Sequence, residues 1–216
     1  MSPPAAQDYL AQQMSEQEYL DTEPYSEVKR EYIDGYVYAM AGAKASHNRI
    51  TMNVSTALSV HLKGKPCQPY ASDMKVKVGK KYFYPDVLVD CTSLPDSSVF
   101  TETPRLIVEV LSKSTRRMDE TTKRVAYTQL ETLLEYVLIE QDFVKVEVIR
   151  RSEGWLPAHY YLGDEVTFES IGLTIAVEEI YDRVQNEDMT DWFAKKAREA
   201  AEAEAAQAVP ALPDSE

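Results

Sequence analysis

A chain of 216 residues suits one domain with extensions, or two small domains, and it can bury a core without metal or disulfide staples. The 44% hydrophobic content is ordinary for a globular protein, and with no run of 18 apolar residues a membrane span is not expected. The net charge of −13 argues against a simple basic nucleic-acid binder.

The acidity is concentrated in the flanks. Residues 1–24 carry five acids and no Lys or Arg, and residues 183–216 carry eight acids against four Lys or Arg. A central region nearer neutrality can still present a local basic groove. The opening MSPPAAQDYLAQQ has neither a basic n-region nor an apolar h-region, so no signal peptide is expected. Cys67 and Cys91 form no CxxC pair and no framework, which points to a reducing cytoplasm.

In chain order, residues 1–14 are rich in Pro, Ala and Gln and read as a mobile segment. Ser15 is placed to cap a short helix from Glu16 to about Thr22, with acids in its first turn and Pro24 ending it. Asp34-Gly35 inside REYIDGYVYAM predicts a hairpin over 30–40. Ile50, Val54, Leu58 and Leu62 recur every four residues, which predicts an amphipathic helix over 46–63 with Gly64 as its C-cap.

Residues 68–78 and 82–90 read as two strands joined by Gly79-Lys80-Lys81, and RLIVEVLS (105–112) as a third. A helix is expected from Ser114 or Thr115 to about Leu130, then a hairpin of LEYVLIE and VKVEVIR, short strands over 156–176 and a short helix near 177–184. From Asp191 to Gln207 the Ala, Glu and Lys content favours a further helix. Few large apolar residues come after Phe193, so truncation after about Glu187 is expected to leave the domain folded.

Asp86 in YPDVLV and Glu109 in LIVEVLS are acids within apolar runs. An unpaired buried carboxylate costs several kcal/mol or is forced to protonate, so each needs a reason. A pairing Lys or Arg, or a sheet edge, is one. A divalent cation is the other, because Mg2+ and Mn2+ prefer carboxylate oxygen and water. The three histidines, His47, His61 and His159, are not spaced as a zinc cluster. No HExxH, GxSxG or P-loop motif occurs.

Pro85-Asp86, 22 further residues, then Glu109 in an apolar strand resembles the PD-(D/E)XK nuclease superfamily. The segments REYIDGYVYAMAGAKASHNRI (30–50), YPDVLVDC (84–91), PRLIVEVLSKSTRRMDETTKRVAY (104–127) and LEYVLIE (134–140) resemble its bacterial Uma-two branch of restriction-endonuclease-like proteins. The resemblance covers roughly residues 15–183.

The resemblance implies an α/β (α+β) fold, a restriction-endonuclease-like mixed sheet flanked by helices. To this the sequence adds an extra C-terminal helix and an Ala/Glu-rich tail over 184–216. It also implies that Asp86 and Glu109 bind Mg2+ or Mn2+ and that Glu31 is an additional site acid. The superfamily places a lysine two residues after the Glu, where this chain has Leu111.

A lysine from the next helix can substitute, and Lys123 is the candidate. Its plainer role is an i, i+4 surface pair with Asp119. Lys113, Lys75 and Lys77 are the alternatives. Lys123→Ala is expected to slow cleavage while leaving metal binding and melting nearly intact. His47 matches a histidine of the family pattern and is either a phosphate or acid contact or a helix-terminal structural residue. Ser112 and Thr115 read as turn and cap residues. Arg116 and Arg117 read as a phosphate grip or a solvated helix end.

The expected function is a metal-dependent endonuclease acting on nucleic acid, DNA first, in the cytoplasm and with no membrane. A homodimer would serve cleavage of two strands. The alternative is a catalytically degenerate nuclease fold that binds nucleic acid or a protein without cutting.

Overall fold

The computed structural model describes residues 12–207. Among these the chain forms two six-stranded mixed sheets and a two-stranded ribbon with helices on their faces, so the expected α+β class holds while the single sheet becomes two. The expected mobile segment lies outside the described residues up to position 11. From there the chain already belongs to the fold: β1 (Gln12–Gln13) pairs with Val37 and Tyr36, and Met14 is buried.

Helix α1 (Glu16–Thr22) starts at Ser15, whose side chain accepts from the Glu18 amide at 3.2 Å. Strands β2 (Arg30–Ile33) and β3 (Tyr36–Ala39) form the expected hairpin. Its two turn residues have φ of 49° (Asp34) and 98° (Gly35), the left-handed region that Asn, Asp and Gly tolerate.

Helix α2 (Ala45–Leu62) buries Ile50, Val54, Leu58 and Leu62. Gly64 does not cap it directly. Lys63 leaves helical geometry, and Gly64 sits at φ 76° in a type II turn closed by Lys65 N to Leu62 O at 2.9 Å.

The two long strands expected over 68–90 are four: β4 (Gln68–Ala71), β5 (Lys75–Val78), β6 (Lys81–Phe83) and β7 (Val87–Asp90). The chain passes between the sheets twice, once over residues 72–74 and once at Tyr84-Pro85-Asp86. Pro85 has no N–H to give to a ladder, so a strand running through it is disfavoured. Asp86 therefore stands at the mouth of β7 and not inside a strand.

The first sheet runs β1-β3-β2-β6-β5-β8, with β8 being Phe100–Thr101. The second runs β12-β11-β10-β9-β7-β4, where β9 is Pro104–Leu111, β10 Glu135–Glu140, β11 Val146–Arg150 and β12 Pro157–Tyr160. Strands β9 and β10 are parallel and central. Period-two alternation sends Leu106, Val108 and Val110 to the face packed by α2. Ile107 and Leu111 go to the other face, against Phe83, Ala126 and Tyr127.

That second face is covered by a helix whose middle, Met118–Lys123, is wound as a π-helix and continues as α3 (Arg124–Tyr127). The sequence pattern predicts regular helix here. The ribbon β13 (Glu165–Phe168) and β14 (Leu173–Ala176) and helix α4 (Val177–Ile180) close the α2 side.

Cys67 and Cys91 are disulfide-bonded, which corrects their reading as an unpaired set. The register explains it, because Gln68 pairs with Asp90 and the next residues outward are the two cysteines. With both thiols oxidised, the cysteines no longer point to a reducing compartment. Among the described residues no helix is long and apolar enough to cross a membrane.

Helix α5 (Glu187–Gln207) begins earlier than expected, and its first turn is part of the core. Met189 is 1% exposed within the α2-side cluster, and Asp188 Oδ2 accepts from the Val144 amide at 2.7 Å. Core packing thus continues beyond residue 183 into the first turn of this helix. A chain cut after residue 185 should lose about 2–5 kcal/mol through loss of the buried Met189 side chain and of the Asp188 bond to the Val144 amide. A chain cut after Arg198 should melt like the full one. Chemical denaturation of the two truncations checks this, and equal stabilities would return the whole helix to the dispensable tail.

Candidate active site

Five side chains from four parts of the fold gather around the C-terminal half of β9. Val87 pairs with Val108 in antiparallel register, so Asp86, one residue before, stands opposite Glu109 on the same face. Glu109 lies between Ile107 and Leu111 on that face and is 3% exposed. Glu31 comes from β2 in the other sheet, and Asp119 and Lys123 come from the π-helical turn.

Lys123 Nζ is 3.0 Å from Glu31 Oε1, 3.0 Å from Glu109 Oε1 and 3.1 Å from Asp119 Oδ1. Its contact with Glu109 is a hydrogen bond, and Glu109 Oε1 also accepts from the Tyr127 hydroxyl at 3.2 Å. Glu31 Oε1 accepts from the Tyr84 amide at 3.0 Å. Asp119 Oδ1 is buried without a hydrogen-bond donor.

The Asp119–Lys123 pair thus has the expected spacing but is no surface pair, since the residues are 1% and 4% exposed. Leu111, two residues after Glu109, packs against Ala126 and Tyr127, and the helix it supports brings Lys123 back to Glu109.

Asp86 is the more accessible acid. Its Oδ2 accepts from the Val110 amide at 2.7 Å and lies 3.3 Å from His47 Nε2. Asp86, Glu109, Asp119 and Lys123 line a cleft of about 570 Å³ that also contains His47 and the exposed Lys29, Lys44 and Lys113, while Glu31 lies behind Lys123 and outside the lining. A second cleft of about 580 Å³ lies beside Trp192 and holds none of the expected site residues.

The electrostatics reflect burial. Burial disfavours the Lys123 ammonium, but Glu109 and Glu31 outweigh it and keep its pKa well above the usual lysine value. Burial, then the charges of Asp119, Asp86 and Glu31, hold the Glu109 carboxyl well above the usual range against the pull of Lys123. Burial likewise raises Asp119. Burial lowers His47, yet its bond to Asp86 more than compensates and leaves its pKa raised. The cluster is short of positive charge.

The donor set can be weighed against a divalent cation. Among the described residues no group of three or more His, Cys, Asp or Glu is arranged to cage a metal. Mg2+ needs no such cage, since one or two carboxylates commonly hold it with waters and substrate oxygens. Two carboxylates on one face and an excess of negative charge fit one hard cation beside Asp86 and Glu109.

Of the remaining candidates, Lys75 is buried against the Tyr84 ring, 5.1 Å from its centroid, and outside the cleft. Lys77 pairs with Glu16 at 3.2 Å. Arg116 is bonded to Glu140, and Arg117 is exposed. Ser112 Oγ accepts from the Thr115 amide at 3.2 Å, a cap as expected.

Asp119 is a site acid that the sequence pattern did not single out. Its only signal was the i, i+4 spacing to Lys123. Other buried acids carry no such deficit: Asp90 is satisfied by Thr92, Thr101 and Thr103, and Glu135 by Arg150 and two amides.

A family model described as "Uma2: Putative restriction endonuclease" matches residues 16–178. The uncharacterized protein slr1290 of Synechocystis sp. is 35% identical over 173 residues, covering 78% of this chain and 91% of that protein. A second Synechocystis protein, sll1609, is 38% identical over 135 residues, covering 60% and 76%. The crystal structure of a "putative nuclease belonging to DUF820" from Anabaena variabilis aligns with a TM-score of 0.67 at 17% identity. It covers 80% of this chain and 99% of that one, a likeness that speaks to the fold. The family match spans most of the described residues and contains every member of the acid–lysine cluster, and the chain belongs to the Uma2 family.

Proposed function

We propose that this protein is a metal-dependent endonuclease that hydrolyses phosphodiester bonds in DNA, with Asp86 and Glu109 holding one Mg2+ or Mn2+ ion. The observation that carries the reading is the Lys123 ammonium beside Glu109, Glu31 and Asp119 on the wall of an open cleft that also holds Asp86. A bound divalent ion would supply Lewis-acid stabilisation of phosphate charge and an acidified water.

The chain's own groups do the rest. The Val110 amide and His47 fix one oxygen of Asp86, which orients the carboxylate toward the cleft. Lys123 presents a cation to the charge that builds on the transferring phosphoryl group, the role the family gives to the lysine missing at Leu111. Glu31 holds Lys123 from the first sheet. The exposed Lys29, Lys44 and Lys113 at the cleft offer contacts to a phosphate backbone that the net charge of −13 would otherwise repel.

The degenerate-fold alternative draws on Leu111 and on that net charge. It is separated by incubating plasmid DNA with the protein in Mg2+, Mn2+ or EDTA. The proposal expects nicking that EDTA and Asp86→Ala abolish. DNA binding without nicking in either metal would favour the alternative.

Lys123→Ala should lower the cleavage rate by roughly 10²-fold or more, the scale of one lost transition-state contact. It should also destabilise the fold by about 3 kcal/mol, because it strands three buried carboxylates. That revises the expectation that melting stays nearly intact, because the lysine is buried. Lys113→Ala and Lys75→Ala should change the rate far less. A Lys123 variant that is folded and cleaves at the wild-type rate would remove that residue from the reaction.

A further inference from the structure

Lys123 and a cation on Glu109 would want the same carboxylate. Glu109 Oε1 is the one oxygen to which Lys123 makes a well-formed hydrogen bond, at 3.0 Å. Its contacts with Glu31 and Asp119 are equally close but lack hydrogen-bond angles, so Asp119 Oδ1, in a residue 1% exposed, is paired with the ammonium by charge and accepts no well-formed hydrogen bond. A buried carboxylate oxygen left without a donor costs free energy, so it is an acceptor waiting for a partner. It already lies 3.1 Å from the ammonium, so a small rotation about the lysine's last bonds turns an N–H onto it.

We propose that Lys123 is a resident counter-ion of Glu109 which a divalent cation displaces onto Asp119, so that Asp119 is the positioning residue that sets both metal affinity and the final place of the ammonium. The proposal rests on the metal site described above and deepens it.

The arrangement has two consequences. Without metal, Lys123 neutralises the buried Glu109 and keeps the cluster folded. With metal, Glu109 is released and the ammonium stays beside the cleft, held by Glu31 and Asp119 and not expelled by the incoming charge. Asp119 and Lys123, four residues apart on the helical segment Met118–Lys123, meet at this point.

The test is a double-mutant cycle on Mn2+ affinity, read by titration calorimetry without substrate. Lys123→Met should tighten Mn2+ binding by at least about tenfold, since a positive charge a few ångströms away is removed. Asp119→Asn should weaken binding by about fivefold or more in the presence of Lys123, because the displaced ammonium loses its destination. In the Lys123→Met background the same change should cost less than about twofold. If Asp119 acted only through its own field on the metal, its replacement would weaken binding equally in both backgrounds, and that result overturns the proposal.

Should Lys123→Met fail to fold, the 15N signal of the Lys123 ammonium in the otherwise wild-type chain replaces the cycle. It should shift on Mg2+ addition, and shift far less in Asp119→Asn. An unmoved signal, or equal shifts, overturns the proposal. Absence of Mn2+ binding in every variant overturns both the proposal and the metal site. A cycle that behaves as expected in a protein that cuts no DNA leaves the proposal standing and removes only the cleavage reading.

Discussion

The fold is organised around a lysine ammonium buried among three carboxylates. Glu31 belongs to one sheet, Glu109 to the other, and Asp119 and Lys123 to the helix laid across the second sheet. Removing such charges from water costs several kcal/mol each, and their mutual attraction offsets this only if the geometry holds. Each element is therefore fixed relative to the others by a cluster that none can satisfy alone. The surrounding tyrosines serve the same end: Tyr127 donates to Glu109, the Tyr84 amide to Glu31, and Tyr136 to the Asp119 carbonyl at 3.0 Å.

The chain path meets that requirement. Pro85 breaks the run between β6 and β7, so the Tyr84 amide turns to Glu31 and Asp86 emerges at a strand mouth. The central β9 remains unbroken and carries its acid in mid-strand, deep enough for burial to control its ionisation. Accessible Asp86 and inaccessible Glu109 thus differ by their place relative to the strand ends. One cation could use both, the first from the cleft and the second from the core.

Much of this was legible in the sequence, for identifiable reasons. Asp34-Gly35 dictates its turn because few other residue pairs tolerate that backbone, and the Ile50–Leu62 spacing admits only a helix with one apolar face. Glu109 stood out because it interrupts an apolar run. The same criterion would also have selected Asp90 and Glu135, whose partners Thr101, Thr103 and Arg150 come from other strands and loops that no local pattern reveals. Asp119 was hidden because its spacing to Lys123 is that of an ordinary surface pair, and only packing against the second sheet buries it. The disulfide was hidden for a related reason, since it depends on the register of β4 against β7. Met189 was missed because the Ala and Glu residues of the rest of the helix dominate the tail's composition.

On the proposed reading this cluster lacks one divalent charge, and Asp86 and Glu109 receive it. The most direct measurement is a crystal grown with Mn2+ and recorded near the manganese absorption edge. The account predicts an anomalous peak between the carboxylates of Asp86 and Glu109, absent from crystals of Asp86→Ala. Crystals whose manganese lies elsewhere, with Lys123 still bonded to Glu109, would contradict it.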